Sequence, residues 1–263
     1  MTRHLLLFDL MGLYKLTLAS LLARKTFVIF AFVLIVFPFA LPLMTPWETK
    51  PSLLEPARAQ AAWVLLWVTA LGWLLFQGAT IGDRWSSDGI LEYFKAVGLK
   101  KHRQIAQIWL ACFTVFSGLA VITFTISTFT AMPRNPIEAQ HWVTTNFQYL
   151  SLFLLVVAPL LVLAIALGTR INGAAAYAVS VSLALYGLFG IGHLEVFIAD
   201  NNSFILNLLY VASPHYHLSD LTSRLVFKLG AIPTAEFALI ALYLGAIALI
   251  TIGISYPLYR EGR

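Results

Sequence analysis

Charge is scarce in this chain: only 11% of its 263 residues are Asp, Glu, Lys or Arg, against 60% that are hydrophobic. A water-soluble domain with so little charge has too little polar surface to cover its core, so a bilayer must act as most of its solvent. There is a single cysteine, Cys112, which excludes an intramolecular disulfide and a cysteine-based metal site. It lies in an apolar run and reads as a small core hydrophobe. No glycine-rich loop followed by Lys and then Ser or Thr occurs, so the chain has no phosphate cradle of its own for splitting ATP. No pair of histidines stands four apart around a glutamate, as helical zinc hydrolases require.

What charge there is leans positive, at a formal +5. The basic residues cluster beside apolar runs, where anionic lipid headgroups and topology signals want them, and this argues for membrane lipids and against nucleic acid as the partner. Six runs are close to the ~20 residues a helix needs to cross hydrocarbon. They cover residues 26–44, 61–81, 105–131, 147–168, 174–198 and 236–256. Pro38, Pro42 and Pro159 fall inside spans and are expected to kink them. With the amino terminus inside, twelve of the 17 lysines and arginines face the cytoplasm, Arg84, Lys100, Lys101 and Arg260 among them. Both termini are therefore expected to be cytoplasmic.

Three segments are not plain spans. Residues 1–25 carry Leu7, Leu10, Met11, Tyr14, Leu18, Leu21 and Leu22 at three- and four-residue steps, the pattern of a helix lying in the headgroup plane. A secretory signal would show small residues at a cleavage site before the next apolar run, and none stands there. The 83–104 stretch is the longest polar interlude. Asp88 is expected to cap a short helix over 88–97, with Ile90, Leu91, Phe94 and Val97 on its apolar face, and Gly98 to end it. The 200–235 connection holds an apolar run at 203–212, too short to span but suited to dip into the outer leaflet, stopped by Pro214. The fold class that follows is an all-α polytopic membrane protein, one transmembrane domain over 1–263.

Three ionisable groups fall near the ends of spans. His193, Glu195 and Glu236 are candidate pathway or outer-gate residues, because charge at membrane depth is costly and usually lines a cavity or meets a partner. The alternative is that all three sit at headgroup level in water. As zinc ligands they are poorly spaced, since His193 and Glu195 stand two residues apart on nearly opposite helix faces. Gly187 and Gly190 permit close helix approach, either within the chain or between two copies.

Taken together, these features are similar to the permease subunit of type-2 ABC exporters. The resemblance covers the whole chain and is most specific at Asp83-Arg84, Asp88-Gly89-Ile90-Leu91 and Lys100-Lys101-His102-Arg103, and again at Ser213-Pro214-His215 and Pro257-Leu258-Tyr259-Arg260-Glu261. Gly98 stands where the family commonly has proline, Gln107-Ile108 where it has Gly-Lys, and Asp88 where it has glutamate. The resemblance implies a bacterial inner (cytoplasmic) membrane, a second permease copy or homologue as dimer partner, and separate ABC-type ATPase subunits that hold ATP and magnesium. This chain would then be no enzyme and hold no cofactor. The 88–97 helix would be the coupling helix, with Trp85, Tyr93 and Phe94 as anchors in the ATPase groove and Arg84, Asp88, Glu92 and Lys95 around them. Dimer contact through the first and fifth spans would use Gly187 and Gly190. The sparse intramembrane charge suits a lipidic or hydrophobic cargo. A membrane-embedded accessory or scaffold subunit of another complex is the competing expectation.

Overall fold

The computed structural model describes residues 11–44, 51–200 and 203–261. Every regular element among them is helical. In chain order these are α1 (Gly12–Leu22), α2 (Lys25–Met44), α3 (Pro51–Val68), α4 (Leu75–Ser87), α5 (Ile90–Ala96), α6 (Lys101–Thr130), α7 (Pro136–Gly168), α8 (Gly173–Leu185), α9 (Ile191–Asp200), α10 (Phe204–Ala212), α11 (Thr222–Val226) and α12 (Thr234–Leu258). A wide π turn, Thr69–Leu74, joins α3 to α4 without a break, and a second, Tyr186–Gly190, joins α8 to α9. Among the described residues six helices are thus long and apolar enough to cross a membrane: Lys25–Met44, Leu53–Ser87, Lys101–Thr130, Pro136–Gly168, Gly173–Ala199 and Thr234–Leu258. The chain is an integral membrane protein by that measure.

The fourth span, α7, is the hub. It packs against α4, α6, α8 and α12, and almost every side chain from Val156 to Ala166 is buried. Its hydropathy does not put it there, since lipid covers an apolar helix equally well; small residues and buried polar side chains do. Its approach to the second span is set by glycine. A Cβ placed on Gly82 would lie 2.3 Å from the Ile165 carbonyl oxygen, and one on Gly168 would lie 2.2 Å from that of Ala79. Gly78 and Gly82 stand four apart, the small-residue spacing that lets two membrane helices touch backbone to backbone.

Polar side chains lock the same core. The fully buried Asn146 accepts at Oδ1 from Trp63 Nε1 (3.0 Å) and Ser127 Oγ (2.6 Å), and donates from Nδ2 to the Trp142 carbonyl (2.9 Å). Trp63 stacks on Tyr149 with ring centroids 4.0 Å apart. Prolines are accommodated by name. Pro42 brings no N–H to the Pro38 carbonyl four residues back, and Arg58 Nε donates to it instead at 3.3 Å while Nη1 donates to the Thr130 carbonyl at the end of α6 (2.7 Å).

Two ends of the bundle can be told apart. One carries α1, α5, the turn between α7 and α8, and the end of α12; we call it the basic end. The other, the loop end, carries the connections around residues 131–136 and 203–233.

Several expected boundaries move. The second span runs on to Ser87, so Asp83, Arg84 and Trp85 belong to a membrane helix and not to a loop. Asp88 does not cap the next helix: it closes α4, its N–H donating to the Arg84 carbonyl at 2.7 Å, and left-handed Gly89 (φ 72°) turns the chain into α5. The reason is that α4 has no cause to stop while its backbone bonds itself, and a glycine takes positive φ at least cost. Of the amino-terminal segment, residues 1–10 lie outside the described set and Gly12–Leu22 is helical. The 203–212 run forms α10, none of whose side chains is buried, and it ends just before Pro214.

Candidate functional site

The basic end is built around α5. Gly98 (φ 94°) stops it, with the Gly98 N–H bonded to the Lys95 carbonyl and the Leu99 N–H to that of Phe94, both 2.9 Å. This pair of bonds satisfies carbonyls that a helix end otherwise leaves bare. The inner face of α5 is clamped by one side chain. Gln104, fully buried in the first turn of α6, donates from Nε2 to the Leu99 carbonyl at 2.9 Å and the Leu91 carbonyl at 3.3 Å. Its Oε1 accepts from the Tyr259 hydroxyl at 3.1 Å. One amide thereby ties the short helix, the third span and the carboxyl-terminal tail together.

The residues expected to meet a partner divide between two environments. Trp85 is buried inside the chain and unavailable as an anchor. Phe94 is half-buried and packs toward α1, where a Cβ on Gly12 would sit 3.2 Å from its ring. Arg84, Asp88, Glu92, Tyr93 and Lys95 are exposed, Tyr93 by 65%. Lys95 Nζ meets Glu261 Oε2 at 3.1 Å.

Beside α5 opens a cavity of about 590 Å³, lined by Glu92, Lys95, Lys101, Arg170, Arg260 and Glu261 around Tyr259. Four cations against two carboxylates make it electropositive. Arg170 donates from Nε to the Leu258 carbonyl (2.7 Å) and from Nη2 to the Pro257 carbonyl (3.0 Å), neutralising the negative end of α12. The Arg260 N–H donates to Thr169 Oγ1 at 2.8 Å. Burial, then the neighbouring Glu261, push the Tyr259 phenol well above its ordinary pKa, so it stays a donor to Gln104 at any physiological pH. Deeper in, Arg24 reaches Gln77, and burial followed by the nearby Arg84 lowers its pKa.

At the loop end the candidate gate residues belong to two helices. His193 and Glu195 are exposed on α9, and Glu236 is exposed in the first turn of α12. Among the described residues no group of three or more His, Cys, Asp or Glu stands close enough to hold a metal ion. His215 is used within the chain, its Nε2 paired with the Tyr210 carbonyl at 2.9 Å and its N–H donating to the Tyr243 hydroxyl at 3.2 Å. Gly187 is occupied too. A Cβ there would fall 2.4 Å from the Tyr216 ring and 2.7 Å from the Pro214 carbonyl oxygen, so its lack of a side chain serves the chain's own loop-end connection. A Cβ on Gly190 would fall 2.6 Å from the Tyr186 ring of its own helix.

The sequence assigns no role to Gln104, Tyr259 or Arg170. Gln104 carried one signal, a neutral amide where an apolar span begins. No protein-family model matches the chain, and a search of curated proteins returns no match.

Proposed function

We propose that the chain is the transmembrane subunit of an ATP-driven exporter of the type-2 ABC class, working as a pair and drawing energy from separate ATPase subunits seated on α5. The observation that carries this reading is the two-sidedness of α5. Its inner face is fixed by Gln104 to α6 and, through Tyr259, to the tail of α12, while its outer face exposes Tyr93 and Lys95, the latter paired only with Glu261. A seven-residue helix so fixed is a handle: a push on it passes to the second, third and sixth spans as rigid bodies. Only Asp88 and Gly89 separate it from the second span. The ATPase holds ATP and magnesium and does the chemistry; this chain supplies the path. In this reading the membrane is a bacterial cytoplasmic one, both termini and α5 lie on its inner side, and α10 dips from the other. The cargo is lipidic or hydrophobic, with His193, Glu195 and Glu236 at its exit.

The test is capture of partners by the tagged full-length chain from its native membranes in mild detergent, read by mass spectrometry. An ATPase with a phosphate-binding loop is the expected partner, and Tyr93→Asp should remove it while the protein remains folded. Capture of no such ATPase, or equal capture by the variant, overturns the reading.

A further inference from the structure

Between the second and fifth spans lies a cleft of about 520 Å³, within the ~300–1,000 Å³ common for small-molecule sites. Its walls are apolar, formed by Val64, Val68, Leu71, Leu185, Leu188 and Phe189. Val68 and Phe189 are 52% and 63% exposed, so the mouth opens sideways, onto the surface that hydrocarbon covers. Both π turns among the described residues border it: Leu71 and Gly72 come from one, Leu188 and Phe189 from the other. Such turns widen a helix by one residue, at the expense of regular bonding, and recur at functional sites. Two independent departures from regular helix facing one cleft are not required by packing alone.

Gly72 contributes to the opening. A Cβ there would meet nothing within 4 Å.

The polar end is more specific than the walls. Gln60, Asp220 and Thr222 line it. The Asp220 carboxylate is held in place through one oxygen: Oδ1 accepts from the Tyr149 hydroxyl (2.6 Å), the Thr222 N–H (3.0 Å) and the Thr222 hydroxyl (2.5 Å). Tyr149 is itself fully buried and receives Trp67 Nε1 at 3.1 Å. None of these bonds uses Oδ2, and among the described residues Asp220 forms no ion pair. No Lys, Arg or His lines the cleft. A carboxylate fixed by three donors on one oxygen, at the end of an apolar slot without a counter-charge, complements a cation carrying an apolar tail.

We propose that this cleft is a lateral binding site for a cationic amphiphile, its tail along the two π turns and its ammonium head on Asp220. The proposal deepens the hydrophobic-cargo reading and rests on it only for the site's purpose in transport, since occupancy itself requires nothing beyond a membrane-embedded chain.

The experiment uses the full-length protein in lipid nanodiscs and two photoreactive probes of equal length, a diazirine-bearing octadecylamine and the matching octadecanoic acid. The amine should label peptides from residues 64–72 and 181–189, and the acid should label them about tenfold less, the loss expected for one charge-assisted hydrogen bond. Asp220→Asn keeps the Oδ1 acceptor and its three donors but removes the charge; amine labelling should fall about tenfold, to the level of the acid. Gly72→Phe fills the cleft and should block both probes. Equal labelling of the wild-type protein by acid and amine overturns the proposal, and that comparison needs no variant to fold. Labelling that maps elsewhere, that survives Gly72→Phe, or that gives way to cross-links between two copies at the cleft also overturns it. Failure here is separable from failure of the exporter reading: a chain that captures an ATPase and binds no amine loses only the site, and one that binds the amine without an ATPase keeps it.

Discussion

The second and fourth spans differ from the first and sixth in what they touch, not in how oily they are. The fourth is the most apolar of the six and the second is among the least, yet 67% and 61% of their most apolar windows are buried, against 11% for the first and 17% for the sixth. Hydropathy places a helix in a membrane and says nothing about its neighbours there, since lipid tails are as apolar as leucine. Glycines and hydrogen-bonding side chains make the difference. The inner pair touch through Gly78, Gly82 and Gly168 and are joined by Trp63 and Asn146. The outer pair expose Phe32, Leu239, Leu242 and Leu249, and the sixth span's Gly245 and Gly253 face open space.

The largest expected effect comes from exchanging these roles. Gly168→Leu drives a side chain into the Ala79 backbone carbonyl, which cannot rotate away, and should cost about 3 kcal/mol or more. Gly245→Leu adds the same atoms where nothing stands within 4 Å and should change stability by no more than about 1 kcal/mol. Thermal unfolding in detergent, followed by tryptophan fluorescence, makes the comparison directly. If both variants unfold alike, the inner and outer pairs are not distinguished by close approach. Asn146→Leu comes next. It leaves Trp63 Nε1 and the Ser127 hydroxyl without their shared acceptor, and the loss should be about 2–3 kcal/mol by the same assay.

How far the chain could be read without its structure follows the same division. Six spans were legible because each is a long apolar run, and the first, at 26–44, agrees with Lys25–Met44 to one residue. The fourth begins at Pro136, well before the expected 147, because Asn135 caps it and proline suits its first position, so the helix forms ahead of the hydrocarbon with Glu138 and His141 still polar. The Gly98 stop and the Pro214 break were legible as local backbone chemistry. Trp85 was misplaced as an exposed anchor because helical continuation through 82–87 leaves no mark in hydropathy. The clamp at Gln104 escaped notice because its partners, Leu91, Leu99 and Tyr259, come together only in three dimensions. Gly187 shows the same limit: its closest partner, Tyr216, belongs to a connection with no periodicity to read.

Gln104 carries the contrast to the basic end. Gln104→Ala strands two carbonyls and a buried phenol, and should cost about 1–3 kcal/mol. Its sharper readout is local. Hydrogen exchange over residues 90–99 should quicken while the Asn146 region stays protected, because the clamp fixes α5 and has no part in the inner pair.

The smallest effect belongs to Lys95→Ala. Lys95 is 61% exposed, and its bond to Glu261 is screened by water, so stability should move by no more than about 0.5 kcal/mol. That near-silence makes the variant useful. Gln104 holds the buried side of α5 and Lys95 only its exposed side, so a change that leaves folding and local exchange untouched tests the surface by itself. Reduced partner capture by Lys95→Ala, at wild-type stability, would show that the exposed side of α5 is held for something outside the chain. Accelerated exchange over residues 90–99 in the same variant would instead make Lys95 part of the clamp, and the handle would have one working face fewer.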